Sequence, residues 1–549
     1  SAPISVALDT PLPFTYRLLP NGYFATTDGR PFVPLGGFYA NWVQSETPDG
    51  EWSQCNPFHD TTEDQKRVWL AKLAERGVTS LRFMLRTHRR DPGIQGTEAL
   101  DAGGRVNRRL FSEILRYMDL AREYGIVFLA VVHDDYYKPI YCDRKNYDLF
   151  TRPAFAGIDL DTLPPFQRRF VRDGELLKEV AWKYTDPDAM ACQDLYVREL
   201  TSFLRNCPAV FAYELENEMV SCPASWANHA IAALREGDPA RTVCASHGGG
   251  GMFTVDPLWW HEKTDIDFYT YHLYPHANRC TTPEIDYGLA SDVLTRYGRM
   301  CGVSFFGESS GDQFRHDADR ERRRRVMRDL IWFSLTNGNP GCFFWNARLS
   351  EVAEFAAAKE AMSRLDLLTF ERAKPDVAVL VTHPLDDDKY YRNTEQGRKD
   401  YDLMARYCRH YHQLGVDVDF AMDATGYAQT AELTGFAPPK PRGRPLTTSR
   451  GLETTYLTRP DWSEALIYVR NVSGIEPVEL KHGRGVSLQH LRTRKPLDWR
   501  LRLDLPTGDY TAHVYDLDLG TTRDQQVTGK GEITLGTTDH DVAVVLKRR

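Results

Sequence analysis

Two segments of this chain run through apolar residues and end in a glutamate. One is Phe211-Ala-Tyr-Glu-Leu-Glu-Asn217-Glu218-Met219 and the other is Val303-Ser-Phe-Phe-Gly-Glu308-Ser-Ser-Gly, with Glu218 and Glu308 90 positions apart. A carboxyl group can protonate a leaving oxygen, and a carboxylate can attack carbon or activate water. Two of them facing one another across a cleft are what cleavage of a glycosidic bond requires. Either glutamate alone says little, but the pair sets the functional expectation.

Other polar residues close apolar runs in the same way. Arg82 lies toward the end of Val78 to Met84, His133 ends Ile126 to His133, His272-Leu-Tyr274-Pro275 ends a run from Ile266, and Trp345-Asn346 ends one from Gly341. Arg82 or Tyr274 could hydrogen-bond Glu308 and keep it ionised as a nucleophile. Asn217 could hold a sugar 2-hydroxyl, a contact that strengthens in the transition state. Trp345 could floor the reacting ring, and His133 and His272 could set protonation states and bind hydroxyls. Each has a plainer reading: a core tryptophan, a satisfied structural histidine, or an Arg82 that only neutralises Glu214 or Glu216. Those two acids share the period-two face of Glu218 and would need partners if buried.

The elements that must position these residues follow from the pattern. From about residue 30 to 370, short apolar strands alternate with amphipathic stretches such as Asp64 to Arg76 and Arg109 to Tyr124, the latter stopping at Gly125 as at a helix C-cap. Nearly continuous apolar strands followed by helices indicate a parallel sheet covered by helices. Eight strands fall near Gly36, Arg82, His133, Asn217, Ser246, His272, Glu308 and Trp345, and a (β/α)8 TIM barrel allots roughly 31 residues to each unit. The 90 positions between the glutamates match the roughly 93 of three units, which places them on strands four and seven, at the mouth where such barrels do chemistry. His133 to Asn217 spans 84 positions, about 50 more than a typical unit. The excess, Asp134 to about Asp188, is rich in tyrosine and is expected to wall the site.

Beyond residue 370, Val377 to Val381, a helix near Asp400 to Leu414 and Val416 to Phe420 read as one βαβ piece. Gly435 to Gly451 reads as a linker rich in Pro, Gly and Thr. Strands and turns from Thr454 to Arg549 indicate a small β-sandwich. The fold class expected is therefore α/β: a barrel over 1–370, a short α/β segment and linker over 371–450, and a C-terminal β-sandwich over 451–549.

Composition excludes several classes. Hydrophobic residues at 42% and charged residues at 26% belong to a globular chain rather than a disordered or collagen-like one. A net charge of −8 attracts neither nucleic acid nor an anionic membrane, and no apolar run approaches the ~18–20 residues of a membrane span. The densest basic run, Arg320-Glu-Arg-Arg-Arg-Arg325, is expected to be a solvated helix face. The ten cysteines are scattered singly and form no Cys-x-x-Cys, so neither a zinc ribbon nor a redox pair is indicated and no metal or cofactor is called for. The chain begins Ser-Ala-Pro-Ile without an initiator Met or an apolar signal core, which fits a processed or recombinant start and leaves periplasmic, secreted and cytoplasmic locations open.

Over about residues 30–350 the chain resembles the retaining glycoside hydrolases of clan A: Asn217-Glu218 matches the clan's acid/base motif and Glu308 its nucleophile. Glu214-Leu-Glu-Asn217-Glu218 and His272-Leu-Tyr274-Pro275 most resemble family five, including its mannanase-type members, although Met219 stands where that family usually has Pro and Pro34 to Trp42 matches loosely. The βαβ piece and sandwich are similar to the layout of family forty-two β-galactosidases, whose middle domain helps assemble trimers. Here the piece is short, and homo-oligomer formation stays open.

The resemblance implies a double displacement with net retention. Glu308 forms the covalent intermediate, and Glu218 acts first as acid and then as base. The carboxyl groups should stand ~5–5.5 Å apart, with the Glu218 pKa raised toward ~6. The expected ligand is a β-linked sugar, and aromatic mouth loops favour exo action on a β-hexoside such as a mannoside or galactoside. The alternatives are an endo-acting β-glycanase, a transglycosylase, a non-catalytic carbohydrate-binding barrel and, least, a metal-dependent hydrolase.

Overall fold

The structure is a computed structural model that describes residues 16–39, 43–46, 52–55, 61–85, 106, 108–133, 171–172, 175–176, 187–217, 223–247, 262–273, 285–300, 305–310, 320–345, 354–381, 395–482 and 485–549. Eight parallel strands close on themselves: Leu35–Tyr39 (β1), Ser80–Met84 (β2), Val127–His133 (β3), Val210–Glu216 (β4), Thr242–His247 (β5), Phe268–Leu273 (β6), Phe305–Ser310 (β7) and Cys342–Trp345 (β8). Each pairs with the next in sequence, and β8 returns to β1 through Cys342 opposite Leu35 and Phe343 opposite Gly36. The eight expected strand positions are all found.

The helices described around the barrel are Glu63–Glu75 (α1), Arg108–Glu123 (α2), Pro187–Leu204 (α3), Ala224–Gly237 (α4), Tyr287–Met300 (α5), Arg320–Thr336 (α6) and Glu354–Ser363 (α7). Sequence sets their ends. Thr62 and Gln65 form a reciprocal capping box before α1. Gly125, at φ +73°, lets the chain turn after α2 so that Ile126 N–H reaches the Ala121 carbonyl at 3.1 Å.

Alternation along the strands divides two cores. Phe128, Ala130, Val132, Tyr213, Leu215, Val243 and Ala245 face the helices, whereas Val127, Leu129, Ala212, Cys244, Phe268 and Phe343 line the interior. The lower end is plugged by a three-stranded hairpin sheet, Tyr16–Leu18, Phe24–Thr26 and Pro31–Phe32. Its Phe24 and Phe32 rings meet the Phe211 ring at 5.8 and 5.3 Å between centroids. Strands of two or three residues are too short to show in a sequence pattern, and this plug went unforeseen. Gly37, at φ +87°, is required where β1 crosses β8, because a Cβ there would lie 2.5 Å from Phe343 Cβ.

The C-terminal half holds a short α/β segment and a β-sandwich. Val377–Leu380 pairs in parallel with Asp419–Ala421 across the helix Glu395–Leu414 (α8), as a βαβ unit requires, and a further strand, Gln429–Glu432, flanks it. The stretch read as a linker is partly sheet. Leu446–Thr448 pairs with Leu497–Leu503, and Tyr411 Oη donates to the Pro439 carbonyl at 2.9 Å. The sandwich sets a three-stranded sheet (446–448, 497–503, 532–538) against a five-stranded one (452–458, 464–471, 542–548, 509–516, 521–528). Trp499, Leu501, Ile467 and Val544 lie between them.

The other face of the larger sheet is covered as well. Leu466, Tyr468 and Val545 belong to the barrel's outer core, and Tyr468 stacks on Trp332 of α6 at 6.0 Å. Burial on both faces explains why 452–458 and 464–471 are buried at every position.

This seam overturns the expectation for the basic run on α6. Arg323 is buried, and Arg324 and Arg328 donate to Glu354 and to the Leu517 carbonyl. The run faces the sandwich, because a guanidinium can be buried where carboxylates await it.

Candidate active site

One side of the mouth is built from the C-terminal ends of β2, β3 and β4. Register aligns Glu214 with Val131 and Glu216 with His133, and on the other side Glu214 with Cys244. Glu214 therefore belongs to the interior alternation, as does Arg82, which lies opposite Leu129. The two form a bidentate ion pair inside the barrel. Arg82 Nε donates to Glu214 Oε2 at 2.7 Å and Nη2 donates to Oε1 at 2.5 Å, with side chains 2% and 0% exposed. Arg82 Nη2 also donates to Asn217 Oδ1 at 2.7 Å, and Asn217 N–H donates to the His133 carbonyl at 2.9 Å. Of the readings open for Arg82, the structure displays its pairing with Glu214.

His133 is fully buried, with its ring 5.7 Å from that of Tyr196 and 5.6 Å from that of Trp226. Those helix aromatics fix it between α3 and α4. Trp226 is itself held by its Nε1–H donating to Gln193 Oε1 at 2.6 Å. Burial, with Glu214 second, pushes the Cys244 thiol well above its ordinary range, so this interior cysteine stays protonated.

On the opposite side, His272 in β6 and Glu308 in β7 are register partners, and Glu308 in turn lies opposite Phe343 of β8. Since Phe343 belongs to the interior core, Glu308 occupies a position on that same alternation. Trp345 closes β8 opposite Ser310. Glu218 and Tyr274 lie outside the described residues, as does most of the insertion after β3, of which a two-stranded piece (171–172 with 175–176) and the start of α3 are described. The chain thus brings Arg82 and Asn217 together on one side of the mouth, with the His133 carbonyl beside them and its ring set back against α3 and α4, and makes His272 and Glu308 register partners on the other.

Sequence reasoning did not give Glu214 a part in the site. The signal available was its place two residues before Glu216 on an otherwise apolar interior face. No cluster of three His, Cys, Asp or Glu side chains suited to a metal occurs among the described residues, and no helix among them is long and apolar enough to cross a membrane.

The closed parallel strands with their covering helices make this a (β/α)8 barrel, extended by an α/β segment and a β-sandwich. Among solved structures the chain is similar to α-L-fucosidase isoenzyme 2 from Paenibacillus thiaminolyticus, at 11% identity and a TM-score of 0.55 over 94% of this chain and 100% of that one. It is also similar to an exo-β-1,4-mannosidase from Opitutaceae bacterium strain TAV5, at 16% identity, 74% and 72% coverage and a TM-score of 0.48. A third is a glycoside hydrolase family 5 mannosidase from Rhizomucor miehei, at 13% identity, 64% and 99% coverage and a TM-score of 0.45. At 11% identity the likeness to the first of these is one of fold alone. No protein-family model and no curated protein matches the sequence.

Proposed function

We propose that this chain is a retaining β-glycosidase in which Glu308 is the nucleophile and Glu218 the acid/base. The observation that carries the reading is one of placement. β4 ends at Glu216, followed by an Asn217 held by Arg82 and then by Glu218, while Glu308 sits three strands on, in β7 of the same closed barrel. Two carboxyl groups at the C-terminal mouth on strands four and seven can flank a glycosidic oxygen and the anomeric carbon.

In this reading the ionised Glu308 attacks the anomeric carbon while Glu218 protonates the departing oxygen. Glu218, now a carboxylate, then draws a proton from the water that releases the sugar. Asn217, His272 and Tyr274 orient hydroxyls and protons, His133 backs Asn217 through its carbonyl, and Trp345 supplies an apolar floor. Residues 1–370 carry the chemistry, and 371–450 and 451–549 support it. The substrate is a β-linked sugar, taken in exo fashion from a β-hexoside such as a mannoside or galactoside.

The test is turnover of a panel of nitrophenyl β-glycosides (mannoside, galactoside, glucoside, fucoside, xyloside, glucuronide), with Glu308→Ala as control. Turnover of one sugar, lost in the variant and partly restored by azide as the α-glycosyl azide, is the expected result. Hydrolysis of polysaccharide with a silent panel would replace exo by endo action. Binding without any hydrolysis would leave a carbohydrate-binding barrel.

A further inference from the structure

We propose that Glu214 is a positioning residue, which acts through Arg82 to fix which end of the Asn217 amide is offered to a bound sugar. This inference rests on the glycosidase reading above. A guanidinium has five N–H donors in one plane and no acceptor. Glu214 takes Nε–H and one Nη2–H through its two oxygens, a fork-to-fork geometry that fixes the plane of the guanidinium as well as its place. The second Nη2–H is directed to Asn217. Because the guanidinium can only donate, Asn217 must present its oxygen there, so the amide orientation follows from chemistry. Its NH2 is then the donor end at the C-terminus of β4, one residue before Glu218.

Stability does not explain the pair. A carboxylate and a guanidinium, 0% and 2% exposed, lose their hydration, and a buried ion pair is commonly no better for stability than apolar residues of the same volume. What the pair achieves is orientation. A long arginine side chain has many rotamers, and Glu214 leaves it one. With the guanidinium released, the Asn217 amide could turn over and present an oxygen where a donor is needed. Asn217 N–H is already tied to the His133 carbonyl at 2.9 Å, so the main chain is set by β3 and the side chain by Glu214 through Arg82.

The test uses the full chain carrying E214Q, with R82K as second variant. A carboxamide at 214 keeps shape but turns an NH2 toward the guanidinium. R82K keeps a charge opposite Glu214 but lacks the planar fork that fixes the donor directed at Asn217. Two readouts are taken: kcat and KM on the glycoside that the wild type cleaves, and the side-chain NH2 resonances of Asn217 in protein labelled with 15N-asparagine, assigned by their loss in N217D.

The proposal expects both variants to move or split those resonances and to lower kcat by about a hundredfold, the scale of a small misplacement of a reacting partner, with KM changed far less. Resonances and kcat like those of the wild type in folded E214Q would overturn it. If E214Q does not fold, the same result in R82K decides. If the wild type cleaves no glycoside, the functional reading falls, while the amide resonances still decide whether Glu214 holds Asn217.

Discussion

The barrel interior and the seam between the barrel helices and the C-terminal sheet both bury charge, in opposite ways. The interior pairs Arg82 with Glu214 and leaves part of the guanidinium for Asn217. The seam runs as a chain: Arg409 to Asp286 and Glu453, Arg470 to both and to Asp329, Arg492 to Asp329 and Asp541, and Arg328 to Asp541, Asp518 and Glu354. Arg494 and Arg324 join it, so that the six arginines and six carboxylates named balance, with Asp539 4.0 Å from Arg494 at the rim. Burial alone would raise the carboxyl pKa of Asp286 and Asp541, but the arginines beside them outweigh it and hold both well below the usual range. A second neutral set links Asp292, Arg296, Asp417, Arg372, Asp419 and Arg299. Charge that is fully matched by neighbours joins parts of the chain, whereas charge directed at a neutral amide orients a group that can still meet a ligand.

Turnover depends on the interior and not on the seam. Glu308→Ala should lower kcat on the order of 10⁴-fold or more while the protein remains folded; a variant that keeps a tenth of wild-type turnover would remove Glu308 from the mechanism. In the seam, Arg470→Met leaves two buried carboxylates, Asp286 and Glu453, to share Arg409 and should lower stability by about 3–5 kcal/mol. Turnover per folded molecule should be unchanged, as read by urea unfolding and by active-site-normalised rates. A loss below about 1 kcal/mol would mean that the seam relaxes around the gap, and that it does not join the two halves in the way described.

Acid should act next, on the second set. His412 is buried with its Nε2 3.2 Å from Arg296 Nη2, which can only donate, so the imidazole accepts there and is neutral, although Asp292 lies 3.4 Å away. Burial above all holds its pKa down at about 4, so the unfolded chain binds the proton more readily. Its contribution is present above pH ~6.5 and is lost as pH falls toward about 4, roughly 3 kcal/mol in all. His412→Gln should flatten the unfolding midpoint across that window; an unchanged slope would assign the effect to other groups. The depressed carboxyls of Asp286 and Asp541 add their own loss below the unfolded carboxylate range near pH ~4. Leu519→Ser, beside Asp518 but 64% exposed, should change stability by less than about 0.5 kcal/mol; a larger change would extend the seam to its rim.

How far the sequence could be read follows from the same contrast. Barrel strands lie between two apolar layers, so Val127 to His133 and Val210 to Glu216 stand out as apolar runs whose polar ends mark the mouth. The strand-four and strand-seven placement of the glutamates came from unit spacing alone. The hairpin Gly474–His482 with Gly485–Thr493 was missed because its polar residues follow no clear alternation. The Arg320–Arg325 run was misread because a string of arginines looks the same whether water or carboxylates face it. Glu214 was visible as a buried acid, but its partner's second bond, to Asn217, depends on how β2 and β4 meet across the barrel.

Closure of the barrel between Cys342 and Leu35 sets a schedule for making the protein. At about 5–20 residues per second, a ribosome needs about 15–60 s to deliver β8 after β1 has emerged. Through that interval β1 has no final neighbour on one side, and the Tyr16–Phe32 plug waits too, since Asn21 is tied to the carbonyls of Leu367 and Phe370. Contacts so distant along the chain form slowly. Yield in a recombinant host should therefore respond to slower synthesis and to chaperones that shield an open β1 edge.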